Sequence, residues 1–150
     1  MNPENILRDV EDADLPIFFA HQADPVAARM ADFPSREHDA FTAHWARIRA
    51  DDSVWLRTIV VDGQVAGNVL SFERDGVREV GYWIGREFWG RGIATRALAQ
   101  FLALLPMRPL YAVLASTNVA SRRVVEKCGL TLLAEEDGAH RYILPPPGSV

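Results

Sequence analysis

Gly90, Gly92 and Ala94 bring almost no side chain to a point where a strand gives way to a helix. Backbone N–H groups there can approach an anion closely. The helix that follows turns its positive N-terminal end toward the same point. Arg91 adds a full charge and Thr95 a hydroxyl. Together these are groups for gripping a pyrophosphate. The same residues also suit an ordinary strand-to-helix turn that needs glycine for its geometry.

Two phosphate-binding patterns fail here. A P-loop requires G-x-x-x-x-G-K-[ST], and the chain has no Gly-Lys pair. A dinucleotide fingerprint requires G-x-G-x-x-G and an acidic residue after the next strand. Thr95 stands where the third glycine belongs, and the next strand runs into Ala115-Ser116-Thr117. A nucleotide-binding module is weakened on both counts.

A second constellation follows the first by about twenty-five residues: Asn118-Val-Ala-Ser121-Arg-Arg-Val-Val-Glu126-Lys127-Cys-Gly129-Leu130. It resembles the signature N-x-x-[AS]-x-x-x-x-E-K-x-G-[FL] of the GNAT (GCN5-related) N-acetyltransferases. Gly92-Ile93-Ala94 resembles the core of the same superfamily's acetyl-CoA loop. The wording Trp89-Gly-Arg-Gly-Ile-Ala-Thr95, with the N-x-x-S form, is most similar to the ribosomal-protein N-terminal acetyltransferase (RimJ/RimL-type) branch. The resemblance spans roughly residues 5 to 144 and is strongest from Glu79 to Leu130.

That resemblance implies acetyl-CoA as cosubstrate and a primary amine as acceptor, either a protein N-terminus or a small molecule. It implies backbone contacts from Trp83 and Ile84 to the pantetheine. It implies pyrophosphate contacts along Gly90, Arg91, Gly92, Ile93, Ala94 and Thr95. Trp89 occupies a position where the family often carries Gln or Arg, which removes one polar side chain from the phosphate end. Asn118 would hydrogen-bond the cofactor's amide, and it equally suits a helix N-cap.

Acetyl transfer to an amine needs the thioester held, its carbonyl polarised, the amine deprotonated and the leaving thiolate protonated. A lysine-like amine, with a pKa of about 10.4, arrives charged at neutral pH. Glu79 is the first candidate for the base. It shares a strand face with Gly81 and Trp83 by period-2 alternation, and the alternative role is an ion pair with Arg57 or Arg74. Glu73 is the fallback. His21, His38 and His44 read as surface residues of the acceptor-side region.

The common tyrosine acid, seven residues past the motif asparagine, is replaced by Val125. Ser121 is then the candidate acid, or simply a residue of the first helical turn. Tyr82 and Tyr111 are substitutes that fit core packing first. No nucleophile–base pair stands out, so direct transfer in a ternary complex is expected. The rival is a non-catalytic acyl-CoA-binding sensor that keeps the loop without turnover.

Composition sets the frame. The 150 residues are 49% hydrophobic, enough for one domain with a real core. A net charge of −4 argues against a nucleic-acid binder driven by bulk charge. The segment Arg86 to Arg96 nevertheless holds three arginines and one acid. Arg96 and at least one of Arg122 and Arg123 are expected to be solvated. The single cysteine, Cys128, excludes an internal disulfide and makes a metal cluster improbable; it reads as a buried structural thiol. No signal peptide and no membrane-length apolar run is evident, so the reading is cytoplasmic, with no membrane, nucleic-acid or metal partner.

The elements that must position these residues follow from periodicity. Strands are expected at Ile6–Val10, Val54–Val61, Gln64–Glu73, Val77–Ile84, Leu110–Ala115, Leu130–Glu135 and His140–Leu144. Helices are expected at Asp12–Gln22, Pro25–Ala31, Arg36–Ala50 with Ser35 as cap, Gly92–Leu105 and Asn118–Cys128. The expected fold is α/β (α+β): one domain over 1–144, a mixed and mostly antiparallel sheet with helices on both faces, and a flexible Pro-rich tail at 145–150. The resemblance adds a splay between the fourth and fifth strands. Gln22 to Asp52, with Phe33, Phe41 and Trp45, is expected to shape the acceptor pocket. An exposed strand or helix face could support a homodimer, though no residue demands one.

Overall fold

The computed structural model describes residues 4–32 and 34–148. In it, seven strands form a single sheet. They are β1 (Leu7–Arg8), β2 (Trp55–Val61), β3 (Gln64–Arg74), β4 (Val77–Ile84), β5 (Leu110–Ala115), β6 (Thr131–Glu136) and β7 (Ala139–Leu144). Their order across the sheet is β1-β2-β3-β4-β5-β7-β6. Every pairing is antiparallel except β4 with β5. The α/β fold expected from the sequence is the fold observed.

The β4–β5 pairing matters most. Glu79 opposite Tyr111 is its single register pair. The two strands separate past that point. The β5-facing edge of β4 is thereby left open at Trp83 and Ile84, which line a cavity instead. This is the splay the resemblance implies.

Five helices sandwich the sheet: α1 (Leu15–Ala23), α2 (Pro25–Ala31), α3 (His38–Ala50), α4 (Ile93–Leu104) and α5 (Val119–Lys127). α4 packs on β1, β3 and β4, and α5 packs on β5. The buried face of α4 is Ile93, Ala97, Leu98, Phe101 and Leu102, which recur at helical spacing. They join Ile59, Val69, Leu110 and Tyr142 in the main core. Each such large apolar side chain contributes about 1.5–3 kcal/mol by leaving water. On the opposite face, Phe18, Phe41 and Trp45 form a smaller aromatic core. Phe18 and Phe41 lie 5.0 Å and 5.9 Å from Trp45, ring centroid to centroid.

Polar contacts fasten both faces. Asp14, 2% exposed, accepts from both terminal nitrogens of Arg8 (2.8 Å each), from Thr58 Oγ1 (2.6 Å) and from the Glu11 backbone (2.9 Å). Burial alone would raise its pKa. The Arg8, Thr58 and backbone hydrogen bonds outweigh that and hold it at about 2. On the other face, Tyr142 donates to Glu126 (2.7 Å) and accepts from Arg122 Nε (3.2 Å), tying α5 to β7. The glutamate and first arginine of the second motif are thus structural.

Three boundaries differ from expectation by two residues or more. Asp12–Asp14 form a separate 3-10 turn, so α1 starts at Leu15. The first strand is only Leu7–Arg8, because the Ile6 N–H is taken by the Gln100 side chain. α3 starts at His38, with Glu37 rather than Ser35 at its N-cap. Ser35 Oγ instead donates to the Gln22 carbonyl (2.7 Å), and the Gln22 side-chain amide grips both backbone groups of Arg36 (2.7 and 3.0 Å). Residues 35 and 36 are therefore tied to α1 and cannot open a helix. Of the expected tail, 145–148 carry neither helix nor strand, and 149 and 150 lie outside the described residues, as does Phe33.

Candidate active site

Two cavities open where β4 and β5 part. The first encloses about 350 Å³ and is walled by the end of β4, the glycine turn and the first turns of α4 and α5. Trp83, Ile84, Trp89, Gly90, Gly92, Ile93, Ala94, Thr95 and Asn118 all line it. These are the residues the resemblance assigned to the cofactor, with one difference. Arg91 is absent from the lining. Its guanidinium lies 3.4 Å from Asp62 and 5.7 Å from the Phe88 ring centroid.

The turn has the geometry an anion site requires. Gly90 (φ 76°) and Gly92 (φ 73°) both adopt the left-handed conformation that glycine reaches without strain. A Cβ built at either would meet no protein atom within 4 Å. Protein neighbours therefore do not demand glycine here. The backbone conformation demands it, and the space above is left open. Gly92 caps α4, so the positive end of a twelve-residue helix faces that space. Across the cavity, Arg123 and Lys127 sit four residues apart on one face of α5. This chemistry fits a pyrophosphate: free backbone donors, a helix N-terminus and two cations.

Trp89 closes the turn. Its indole N–H donates to the Ile84 carbonyl at 2.9 Å, so the turn is latched to the end of β4. The residue that cost the phosphate end a polar side chain supplies a rigid wall in exchange. Ala27, Met30 and Ala31 of α2 complete the apolar side. That wall was not anticipated, because nothing local in Pro25–Ala31 marks it for a ligand.

The second cavity, about 510 Å³, lies between the sheet and α1 and α3. Phe18, Phe41, Trp45 and Phe72 give it aromatic walls, while Arg36, His44, Arg74, Asp51 and Glu73 supply charged or titratable groups. The two cavities share Ala31, Tyr82, Trp83, Asn118 and Ser121. Their junction is the splay itself.

At that junction Tyr82 donates to Ser121 Oγ at 2.8 Å. Burial pushes the Tyr82 phenol up to about 12, against a smaller opposing effect of the Ser121 hydrogen bond. Tyr82 therefore stays protonated and keeps donating. Ser121 Oγ, with that lone pair occupied, retains its own hydrogen for another acceptor. Asn118 fills the cap role: its side chain accepts from the Ser121 N–H at 3.2 Å, fixing the serine in the first turn of α5. It lines both cavities as well.

Glu79 sits elsewhere. It is 5% exposed, outside the lining of both cavities, and its Oε2 lies 3.3 Å from Arg74 Nε. The cross-strand ion pair anticipated as its alternative role is present. Arg74 does line the second cavity. Glu73, the fallback, also lines it, is 61% exposed, and pairs with Arg78 at 3.6 Å. His44, read from sequence as a surface residue, is half-buried in the same lining. His21 is buried as well, with Nδ1 lacking a hydrogen-bond partner among the described residues. Cys128 is half-buried, donates weakly to the Thr95 carbonyl (3.5 Å), and burial raises its thiol pKa. A structural thiol matches that placement. Among the described residues no helix is long and apolar enough to cross a membrane.

Comparison with known proteins agrees with this fold. No protein of curated function matches the sequence. The fold matches a spermidine N-acetyltransferase from Vibrio cholerae solved with CoA and spermine (TM-score 0.79, 17% identity, 93% of this chain and 94% of that one). It also matches RimL, a ribosomal L7/L12 alpha-N-protein acetyltransferase solved with coenzyme A (TM-score 0.75, 18% identity, 93% and 92% covered). A third match is a ribosomal-protein-alanine N-acetyltransferase from Brucella melitensis (TM-score 0.73, 16% identity, 95% and 100% covered). At such identities these structures establish the fold alone. The sequence itself matches the acetyltransferase (GNAT) domain family over residues 5–131. With that match covering most of the chain, the protein is a member of the GNAT acetyltransferases, a family of acetyl-CoA-dependent N-acetyltransferases.

Proposed function

We propose that this protein transfers an acetyl group from acetyl-CoA directly to a primary amine, in a ternary complex assembled across the splay. The observation that carries the reading is the meeting of the two cavities at the Tyr82–Ser121 hydrogen bond. One cavity has the donors for a pyrophosphate, the other opens between aromatic walls, and a hydroxyl with a proton to give lies between. Acetyl-CoA supplies the activated acyl group. Every other part of the chemistry falls to the chain.

Gly90 to Thr95, with Arg123 and Lys127, hold the pyrophosphate. The open edge of β4 at Trp83 and Ile84 aligns the pantetheine arm. The amine attacks the thioester carbonyl, the C–N bond forms and the C–S bond breaks. Ser121 gives its proton to the departing sulfur and takes the Tyr82 proton in the same movement. Tyr82 is then reprotonated from solvent through the cavity mouth. Before the attack, the acceptor ammonium gives its proton through water to Glu79, past Arg74, so that the neutral amine is the nucleophile.

The motif wording supports placement in the RimJ/RimL-type branch. The neighbours act, by their descriptions, on a polyamine in one case and on protein N-termini in others. A primary amine is what those acceptors share.

Steady-state kinetics on three variants test the reading. Ser121→Ala is expected to lower kcat about a hundredfold, within the usual range for a lost general acid, with acetyl-CoA affinity unchanged. Tyr82→Phe follows in the same direction with a smaller loss. Glu79→Gln is expected to lower kcat about a hundredfold or more, with acetyl-CoA affinity unchanged. An unchanged kcat assigns Glu79 to holding Arg74 alone. Unchanged turnover in both Ser121→Ala and Tyr82→Phe would overturn the relay.

A further inference from the structure

Asparagine is depleted in strands and seldom buried. Asn68 breaks both habits. It stands within β3, with β2 on one side and β4 on the other, and is 6% exposed. Its cross-strand neighbours are Thr58 and Trp83. The Thr58 hydroxyl is given to Asp14 at 2.6 Å. Among the described residues the Asn68 carboxamide makes no hydrogen bond. A buried amide without a partner costs free energy unless something supplies its hydrogen bonds. Asn68 lines the second cavity, so a molecule in that cavity can supply them.

Placement says which molecule. One strand spacing, about 4.8 Å, separates Asn68 from Trp83. Trp83 lines both cavities, whereas Asn68 lines only the second. The carboxamide therefore lies beside the junction but on the acceptor side. Leu70 and Phe72 share its sheet face by period-2 alternation and line the same cavity. A carboxamide offers one acceptor oxygen and two N–H donors. A carboxylate would satisfy only its N–H groups, and an ammonium only its oxygen. Either would also leave water for a dipole that brings no countercharge. A neutral group that both gives and takes a hydrogen bond satisfies the two ends together.

We infer that Asn68 sets acceptor specificity: it binds a neutral hydrogen-bonding group, an amide or a hydroxyl, carried by the acceptor close to its reacting amine. This rests on the transferase reading above and narrows its substrate class. The same chemistry exists in peptide or aminoacyl amides and in amino alcohols, amino sugars included.

The test is an acceptor panel with full-length protein, following thiol release and taking kcat/KM per unprotonated amine. One arm holds amino-acid amides and short peptides with blocked C-termini. A second holds amino alcohols and amino sugars. The controls are alkylamines of the same shape, free amino acids and spermidine. Acetyl-CoA binding is measured separately by calorimetry. We expect one neutral arm to exceed the controls about tenfold or more, the scale set when a buried polar group loses its partner. The arm that does so names the source. Asn68→Leu, similar in volume, should bring that ratio to about one through KM, with acetyl-CoA affinity retained. Asn68→Asp keeps the shape, exchanges the donors for charge, and should move the preference toward spermidine. Should the buried charge unfold that variant, the Asn68→Leu comparison decides alone. A purely structural role would lower every acceptor alike and would overturn the inference, as would a wild type in which the controls match both neutral arms. A preference that survives Asn68→Leu would overturn it too, leaving the carboxamide to water. Failure of wild type to bind acetyl-CoA, or binding with no amine acetylated, would instead sink the transferase reading, and this inference with it.

Discussion

The two cavities on either side of the splay are built by opposite means. The proposed cofactor side is walled mainly by two local segments, the end of β4 with the glycine turn and start of α4, and α5, with Ala27, Met30 and Ala31 of α2 added. The proposed acceptor side gathers residues from all five helices and from β3, β4 and β5, brought together only by folding. The difference teaches where chemistry can be fixed and where it can vary. A pyrophosphate is recognised by N–H groups that every residue has, so glycine placement and a helix start suffice. An acceptor is recognised by side chains, which one fold can exchange without changing its frame.

The sharpest way to separate the sides is through their cores. Trp45 belongs to the aromatic cluster with Phe18 and Phe41, apart from the cluster that holds α4. Trp45→Ala is expected to cost about 3–5 kcal/mol of stability, the usual range for a buried tryptophan. Denaturant unfolding measures that loss. Protein that remains folded should still bind acetyl-CoA, because the turn rests on the other core. Parallel loss of acetyl-CoA binding in folded protein would show that the two sides are one unit.

The same contrast explains what the sequence disclosed. Gly92-Ile-Ala94 and the Asn118-to-Leu130 motif are local patterns, so their residues could be named and found lining one cavity. The Arg91 side chain does not line that cavity, because a charge beside a glycine turn says nothing about which way the side chain leaves; it goes to Asp62. Lys127 was missed as a cavity cation, though its spacing of four from Arg123 was the available signal. Tyr82 read as core, since its partner Ser121 lies 39 residues away. Ser35 read as a cap because its competitor, the Gln22 carbonyl, cannot be seen from local sequence. His44 read as surface because its burial depends on the packing of α3.

Acid should act on the acceptor side through Asp14. Its folded pKa, about 2, lies below the ordinary 3.8, so the unfolded chain takes up the proton first as pH falls. The stabilisation is complete above about pH 4 and fades as pH drops toward about 2, worth on the order of 2 kcal/mol. Thermal melts between pH 2 and 6 should show that slope, and Asp14→Asn should flatten it while lowering Tm at neutral pH. An unchanged slope would remove Asp14 from the account.

On the cofactor side, Lys127→Ala or Arg123→Ala should weaken acetyl-CoA binding about tenfold, more at low salt than at high. Equal affinity at both salt concentrations would contradict their phosphate role. The smallest effect is expected from Trp89→Phe. It removes the N–H that latches the turn to Ile84 at a cost of about 1 kcal/mol. That should appear as a several-fold faster release of acetyl-CoA with kcat retained.

The most direct measurement is calorimetric titration of acetyl-CoA into wild type, Gly92→Glu and Gly76→Glu. Both glycines adopt a positive φ, 73° and 82°, and neither has a protein atom waiting for a Cβ. The backbone strain introduced is therefore comparable, and only Gly92 faces the cavity. The account predicts binding in wild type and in Gly76→Glu, and a loss of about a hundredfold or more in Gly92→Glu. No binding by wild type, or equal binding by all three, would contradict it.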